Sequence, residues 1–312
     1  MTDLGPTAAP IPLTRADVAG AVSRCLRTTV DDVTTLAGYV GNQGFMVRTP
    51  GSDYVLKAGD ATSLAAESWA CETVRAAGVS APEIVALEVD RATLPEPFLL
   101  MRRLSGIGVG EGHGALVEAG HQLRVLHSLP ADGYGFLHDA AGDSPRPHGP
   151  YATWAEFTHE PLGCLDELVT HEVLTPALAG RLRMGLESFG GFVAYDGPAV
   201  LLHGDLHPRH VFADGDDFTG IIDWGDVGAG DPIFDLGRFS RSDPKSLAQL
   251  LAGYGLDLDP DLSLRLAVYR LIWTTIVLRD ELRAGGDWFA VHRDAIEADL
   301  DRLDGIGSGE TR

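Results

Sequence analysis

The chain has 312 residues, of which 45% are hydrophobic, and this length is sufficient for two lobes that each bury a core. Its formal net charge of −21 argues against nucleic acid or an anionic membrane as the main partner, since both repel an acidic protein. No apolar run reaches the roughly 18 residues of a membrane span, and residues 1–12 lack the pattern of a secretory signal, so we expect a cytoplasmic protein.

The N-terminal part predicts a helix followed by three strands. Thr14 begins the helix, with Asp17 three residues later and apolar residues at helical spacing behind it. Three apolar runs then predict an antiparallel meander, at 33–36, 45–48 and 54–57. The loop between the first two runs carries Gly41, Asn42 and Gln43, and glycine-bearing loops allow backbone amides to approach phosphate oxygens. Ordinary hairpins contain glycine as well, so both interpretations stay open here.

Lys57 stands at the end of the third apolar run. In kinases, a lysine at such a position pairs with the nucleotide phosphates and with a glutamate from the next helix. The helix predicted over 61–77 offers two glutamates, Glu67 and Glu72. An apolar strand over 97–101 comes next and runs into a polar break.

Helical patterns account for most of the remaining chain. The predicted helical stretches are 117–129, 154–157, 177–192, 244–254 and 262–303. His127, in the first of them, is interpreted as a packing histidine, and the Pro and Gly residues of 132–151 predict a loop. The polar sides of the later helices are acidic, at Glu156, Glu160, Asp280 and Glu281.

The segment 203–235 is the most informative part of the chain. A short apolar strand delivers Asp205 into a turn, and two later apolar runs predict a β-hairpin whose second strand ends at Asp223. These runs are 210–213 and 219–224. Asp205, His210 and Asp223 can therefore face one pocket.

These residue types fit phosphoryl transfer. The reaction needs a carboxylate that orients the acceptor hydroxyl and divalent cations that bridge the nucleotide phosphates. Asp205 suits the first role and Asp223 the second. Three nearby carboxylates are interpreted as helix or turn caps, namely Asp226, Asp231 and Asp235. Two nearby histidines are interpreted as supporting residues, namely His203 and His207.

In the stretches H-G-D-L-H-P-R-H and I-D-W, the chain resembles the aminoglycoside phosphotransferase family, the antibiotic kinases that share the protein-kinase fold. The resemblance covers essentially the whole chain, because the glycine-bearing loop, Lys57, the glutamate, the polar break and both aspartate motifs follow in the family's order. It implies an α+β, bilobal, protein-kinase-like fold. Residues 1–104 would form a small antiparallel-sheet lobe that binds nucleotide, and residues 105–312 a mainly helical catalytic lobe.

The resemblance also implies roles for individual residues. It selects Glu67 as the partner of Lys57 and assigns purine binding to the backbone of Arg102 and Leu104. It places the acceptor near the acidic helices, which makes candidates of Glu156, Glu160, Asp280 and Glu281. His210 stands where most members carry Asn and where macrolide phosphotransferases also carry His. It would ligate the metal together with Asp223.

The function that we expect is an ATP- or GTP-dependent kinase, using Mg²⁺ or Mn²⁺, that phosphorylates a hydroxyl of a small molecule such as a cationic antibiotic. A kinase of a choline-like or amino-sugar alcohol is an alternative. So is a nucleotide-binding pseudokinase, because His210 replaces the usual amide. A metallophosphoesterase would need an earlier D-x-H and a later G-N-H, which the sequence lacks. The oligomeric state stays open.

Overall fold

The computed structural model describes residues 11–36, 42–137 and 146–307. Its N-terminal part is a five-stranded antiparallel sheet in the order β1-β2-β3-β5-β4. The strands are β1 Asp32–Leu36, β2 Gln43–Arg48, β3 Asp53–Ala58, β4 Ile84–Glu88 and β5 Phe98–Arg102. Helix α1, Arg15–Leu26, packs on β1 and β2, and its first turn is closed by a capping box between Thr14 and Asp17.

Helix α2, Ala61–Ala76, follows β3 and begins where Asp60 accepts a hydrogen bond from the Ser63 amide. One face of α2 is buried at helical spacing, and it carries Leu64, Glu67, Cys71 and Val74. A carboxylate in such an apolar stripe needs a partner. The helix therefore directs Glu67 toward the sheet.

The C-terminal part is mainly helical. Its helices are α3 Ala115–Leu126, α4 Trp154–Thr170, α5 Pro176–Phe189, α6 Ile233–Phe239, α7 Pro244–Tyr254, α8 Pro260–Arg283 and α9 Phe289–Gly307. Helix α8 lies at the centre and packs against α4, α6 and α9, while α3 packs against α7. Because α8 is surrounded, it is buried along most of its length. The α+β class predicted from the sequence is thus confirmed.

Two small antiparallel sheets carry the loops of the segment 203–235. Their strand orders are β10-β9-β6 and β7-β11-β8. The strands are β6 Ile107–Gly108, β7 Gly135–Phe136, β8 Val200–Leu202, β9 Val211–Asp214, β10 Asp217–Ile221 and β11 Gly228–Gly230. The predicted hairpin is present as β9 and β10, with an irregularity between Phe218 and Gly220.

Two sequence predictions differ from the structure in detail. The helical stretch predicted to run from 262 to 303 is broken after Arg283, because Gly285 takes a left-handed conformation at φ 71° that ends α8. Asp223 does not end a strand, since β10 stops at Ile221 and Asp223 itself has φ 66° and ψ 65°. This left-handed backbone turns the chain sharply and sets the direction of the Asp223 side chain.

Among the described residues, no helix combines the length and the hydropathy that crossing a membrane requires. The lobe boundary at residue 104 and the cytoplasmic location stay predictions.

Candidate functional site

Lys57 joins the sheet to the segment that contains Asp223. Its Nζ donates to Oε1 of Glu67 at 2.6 Å and to Oδ1 of Asp223 at 2.7 Å. Burial raises the pKa of Glu67 despite the neighbouring ammonium. Burial opposes the ionisation of Asp223 and is the largest single influence, but the charge and the hydrogen bond of Lys57, together with the neighbouring histidines, outweigh it and hold the pKa of Asp223 below its ordinary value. The lysine, the glutamate and the aspartate predicted from the sequence thus meet in space.

His210 lies between the two aspartates. Its Nδ1 is 2.9 Å from the backbone oxygen of Asp205, and this oxygen can only accept, so Nδ1 carries the proton. Burial lowers the pKa of His210 to about 4, which leaves the ring neutral at pH 7 and Nε2 unprotonated. Nε2 in turn lies 3.3 Å from Oδ2 of Asp223. Two acceptor atoms facing each other can supply two of the six ligands of an octahedral cation such as Mg²⁺.

His207 adds a second possibility for metal binding. Its ring stacks on that of His210 with the centroids 3.7 Å apart. Asp205, His207 and His210 offer ligand atoms that all lie within 4.8 Å of one another. Burial, the largest cause, lowers the pKa of His207 to about 3, so this ring is also neutral at pH 7. His207 is therefore close enough to Asp205 and His210 to share a metal ion with them, in addition to the supporting role predicted for it.

Arg238 holds the Asp205 side chain. Its Nε donates to Oδ1 of Asp205 at 2.5 Å, and its guanidinium lies 4.0 Å from the ring centroid of Trp273. Trp273 in turn donates from Nε1 to the backbone oxygen of Gly204 at 3.0 Å. A charge-assisted hydrogen bond and a stacked ring fix the carboxylate in one orientation. Neither Arg238 nor Trp273 is predicted from the sequence, because each is distant from Asp205 in the chain and neither belongs to a motif.

Asp235 holds the backbone that leads to Asp205. Its carboxylate accepts hydrogen bonds from the amides of His203 at 2.7 Å and Gly204 at 2.8 Å, and from Nε2 of His127 at 3.0 Å. The interpretation of Asp235 as a cap is therefore wrong, since this fully buried side chain bonds to a distant loop. His127 is buried, as predicted, but it also takes part in this hydrogen-bond network.

Gly204 is required by the geometry of the same loop. It has φ 84°, and a Cβ atom there would lie 1.8 Å from the backbone oxygen of Asp226. The close approach of the two chain segments brings the loop of Asp205 beside that of Asp223. Asp231 does accept from the Ile233 amide at 2.9 Å, as a cap should, and its other oxygen binds Arg265 and Tyr269.

A cavity of about 160 Å³ lies next to Lys57, and its lining includes Val55, Met101, Arg102, Leu104 and Asp223. Apolar walls on both sides suit a flat aromatic ring. The Arg102 amide already donates to the backbone oxygen of Glu83 at 2.8 Å, so this amide is not available to a purine.

The loop residues predicted to contact phosphate are only partly described. Gly41 lies outside the described residues. Asn42 accepts from the Asp60 amide through Oδ1 at 3.3 Å, beside the start of α2. Gln43 is occupied elsewhere, since its side chain bonds to the backbone of Ile11 and Leu13.

The four acidic residues predicted to bind substrate all have partners within the protein. Glu156 accepts from the Thr153 amide, which closes the capping box of α4. Glu160 and Asp280 both pair with Arg279. Glu281 is buried and accepts from the Trp288 amide at 3.0 Å. Sequence reasoning missed the signal T-x-x-E at Thr153, which predicts a cap for Glu156.

Comparisons with known proteins bear on the family and the fold of the chain. The family model described as the phosphotransferase enzyme family matches residues 32–266. No curated protein sequence matches the chain.

Solved structures with the same fold include that of a thermostable mutant of aminoglycoside phosphotransferase APH(4)-Ia in its apo form. It has a TM-score of 0.71 at 19% identity, covering 93% of this chain and 99% of that one. A ternary complex of such a mutant with ADP and hygromycin B has a TM-score of 0.69 at 18% identity, covering 95% and 100%. A putative fructosamine-3-kinase from Thermobifida fusca has a TM-score of 0.66 at 19% identity, covering 91% and 98%. At these identities the likeness shows the protein-kinase-like fold alone.

Proposed function

Because the chain belongs to the phosphotransferase enzyme family, we propose that it transfers the terminal phosphoryl group of ATP or GTP to a hydroxyl group of a small molecule. The observation that supports this most is the continuous row of contacts from Lys57 through Asp223 and His210 to Asp205. A nucleotide in the adjoining cavity would place its phosphates at one end of this row. The acceptor would lie at the other end.

Asp205 is the proposed catalytic base. Its carboxylate orients the acceptor hydroxyl and takes its proton as the new O–P bond forms and the bond from the terminal phosphorus to the bridging oxygen breaks. The nucleoside diphosphate leaves with the electron pair of the broken bond. Arg238 keeps one carboxylate oxygen in place, so the other is directed to the acceptor.

Lys57, His210 and Asp223 are the proposed nucleotide-side residues. Lys57 supplies positive charge to the phosphates, and Glu67 holds it in place. His210 and Asp223 offer Nε2 and Oδ2 to a divalent cation, Mg²⁺ or Mn²⁺, which when bound neutralises phosphate charge. The facing acceptor atoms fit such an ion.

The acceptor that we propose to test first is an antibiotic, and the second is an amino-sugar or choline-like alcohol. One similar structure binds hygromycin B, and another is named a putative fructosamine-3-kinase. Because Arg279 already pairs with Glu160 and Asp280, these carboxylates give no particular support to a polycationic acceptor.

The test is nucleotide consumption with ATP and with GTP, measured against a panel of aminoglycosides, macrolides, nucleoside antibiotics, fructosamines and choline. Mass spectrometry should detect one added phosphate on the acceptor. The control is Asp205→Asn, which should lower kcat by ~10² to 10⁴-fold and leave nucleotide affinity nearly unchanged. If the variant kept more than about half of the wild-type kcat, Asp205 would be a structural residue. If the protein bound nucleotide but did not consume it with any of the metal ions tested, this result would support a pseudokinase instead.

A further inference from the structure

A groove outside the catalytic site is bordered by the segment that connects α6 to α7, by α8 and by α9. Its volume is about 640 Å³, and its lining includes Arg241, Arg270, Arg302, Asp299, Leu266 and Ala298. Sites for small molecules span roughly 300 to 1,000 Å³. None of the residues assigned above to phosphoryl transfer lines this groove.

The charge in the groove is opposite to that of the whole protein. Three arginines and one aspartate line it, an excess of two positive charges in a chain whose formal net charge is −21. Arg270 is fully engaged, because it donates to both oxygens of Asp299 and to Ser240. Arg302 is exposed and lies 3.4 Å from the same carboxylate. Asp299 is therefore shared, and it cannot neutralise the remaining guanidiniums.

Arg241 is the guanidinium without an acidic partner. Its Nη1 donates to the hydroxyl of Thr274 at 2.5 Å, and across the described ranges no carboxylate lies within ion-pair distance of it. Burial, followed by the charge of Arg238, lowers the pKa of Arg241, although an arginine still remains protonated near neutral pH. A half-buried guanidinium that has a hydroxyl and the Trp273 ring beside it, but no carboxylate in ion-pair contact, has capacity for an anion.

The rest of the groove is apolar. Its apolar lining residues include Leu247, Leu258 and Leu266, and Ala295 and Ala298 of α9. Leu258 is 53% exposed, so its side chain is accessible to a ligand in the groove. A ligand with an anionic head and an apolar body would match both parts.

We propose that this groove binds a small molecule that carries a carboxylate or phosphate group, with Arg241 as the principal contact of the anion, Arg302 as a second, and the apolar wall around Leu258 and Leu266 as the contact of the body. The lining of the groove shares no residue with the phosphoryl-transfer site, although Arg241 lies beside the Trp273 ring on which Arg238 stacks, so the two sites are neighbours. The existence of the groove does not depend on the proposed function. Arginine suits both anions because its planar fork donates two hydrogen bonds in parallel.

The test uses the full chain with saturating ADP present, so that the nucleotide site is filled. Calorimetry would measure the binding of three probes with the same apolar body, namely naphthoate, naphthyl phosphate and neutral naphthamide. We expect at least one of the two anions to bind with one-to-one stoichiometry and at least about tenfold more tightly than naphthamide. The comparison of the two anions shows which head group the groove prefers.

Two variants localise the binding. Arg241→Gln should lower the affinity for the anion by at least about tenfold. Lys245→Gln, which removes one charge from an exposed neighbouring position outside the groove, should change this affinity by less than about twofold. Ala298→Trp fills the edge of the groove from an exposed position, so it should weaken binding without lowering the melting temperature. The proposal is overturned if neither anion binds, if naphthamide binds equally well, or if both Arg241→Gln and Ala298→Trp bind the anion as wild type does. If Arg241→Gln does not fold, Ala298→Trp alone decides.

Discussion

The Nε2 atom of His210 lies 3.3 Å from Oδ2 of Asp223, and neither atom carries a proton to share. The ring proton is on Nδ1, where it is donated to the backbone oxygen of Asp205. Two lone pairs at this distance repel each other unless a cation lies between or beside them. The pair therefore favours a direct role for His210 in metal binding over a purely bracing role.

The first prediction concerns the metal preference of His210→Asn. An imidazole suits Mn²⁺ and Co²⁺ better than Mg²⁺, whereas an amide oxygen suits the harder ion. The ratio of kcat with Mn²⁺ to kcat with Mg²⁺, each metal at saturation, should therefore be higher in wild type than in His210→Asn. An unchanged ratio of the two activities in His210→Asn would contradict direct ligation and leave the phosphotransferase assignment intact.

The second prediction concerns the acid side of the pH profile. A histidine binds metal only when neutral, and its ordinary pKa is about 6.5. Because burial lowers the pKa of His210 to about 4, the ring takes up its proton only near that pH. Metal-dependent activity should thus persist through pH 6 and 5, as measured by kcat/KM in buffers of constant ionic strength. A loss centred near pH 6.5 that His210→Asn abolishes would show that the ring is more solvated than in this structure.

The third prediction concerns Arg238→Met, which removes the hydrogen bond to Asp205 but keeps an apolar chain against Trp273. Misplacing a catalytic carboxylate costs on the order of 10²-fold, so kcat should fall by that amount while the KM for nucleotide stays within about twofold. Arg241→Met is the matched control, since Arg241 lies 5.6 Å from the same ring without contacting Asp205. Equal losses in both variants would assign the effect to packing on Trp273.

The fourth prediction concerns Asp235→Asn and stability. The native carboxylate accepts three hydrogen bonds, and an amide cannot accept them all, so unfolding free energy at pH 7 should fall by roughly 2 to 3 kcal/mol. Burial opposes the ionisation of Asp235, but the folded-state pKa of Asp235 is lowered overall, and the hydrogen bond and charge of His127 contribute most to this lowering. A lowered pKa contributes stability that is complete above the unfolded value of about 3.9 and is lost as pH falls through the folded value.

Urea unfolding of wild type and Asp235→Asn across pH 7 to 3 would check this. The difference between the two proteins should be constant from pH 7 to about 5 and should shrink below about 4. Asp196→Asn, at an exposed position, should show no difference at any pH. A difference that grows toward acid pH would mean that Asp235 is protonated in the folded protein.

The residues that sequence reasoning found are those whose position along the chain reports their role. Lys57 lies next to the end of β3, and Glu67 falls on the buried stripe of the next helix, so strand and helix periodicity alone bring them close. Asp205 and His210 are 5 residues apart, and only the hairpin of β9 and β10 lies between His210 and Asp223. Their proximity follows from local geometry, and the family resemblance supports the same prediction.

The residues that it missed are joined by tertiary packing. Arg238 reaches Asp205 from α6, and Trp273 reaches Gly204 from α8, so no local pattern could report either contact. Asp235 was misinterpreted because an aspartate in the first turn of a helix has the same sequence context whether it caps that helix or binds a distant loop. Only the burial of the side chain distinguishes the two cases.

Asp235 and Arg238 stand about one turn apart on the same short helix, and both act on the loop that starts at His203. The helix follows this loop by 32 residues, counted from His203 to Asp235. A growing chain emerges from the ribosome N-terminus first, so the loop is synthesised before the groups that shape it. The loop can reach its final conformation only after α6 has been added and packed. A chain that stopped before α6 would contain Asp205, His210 and Asp223 without the bonds that orient them.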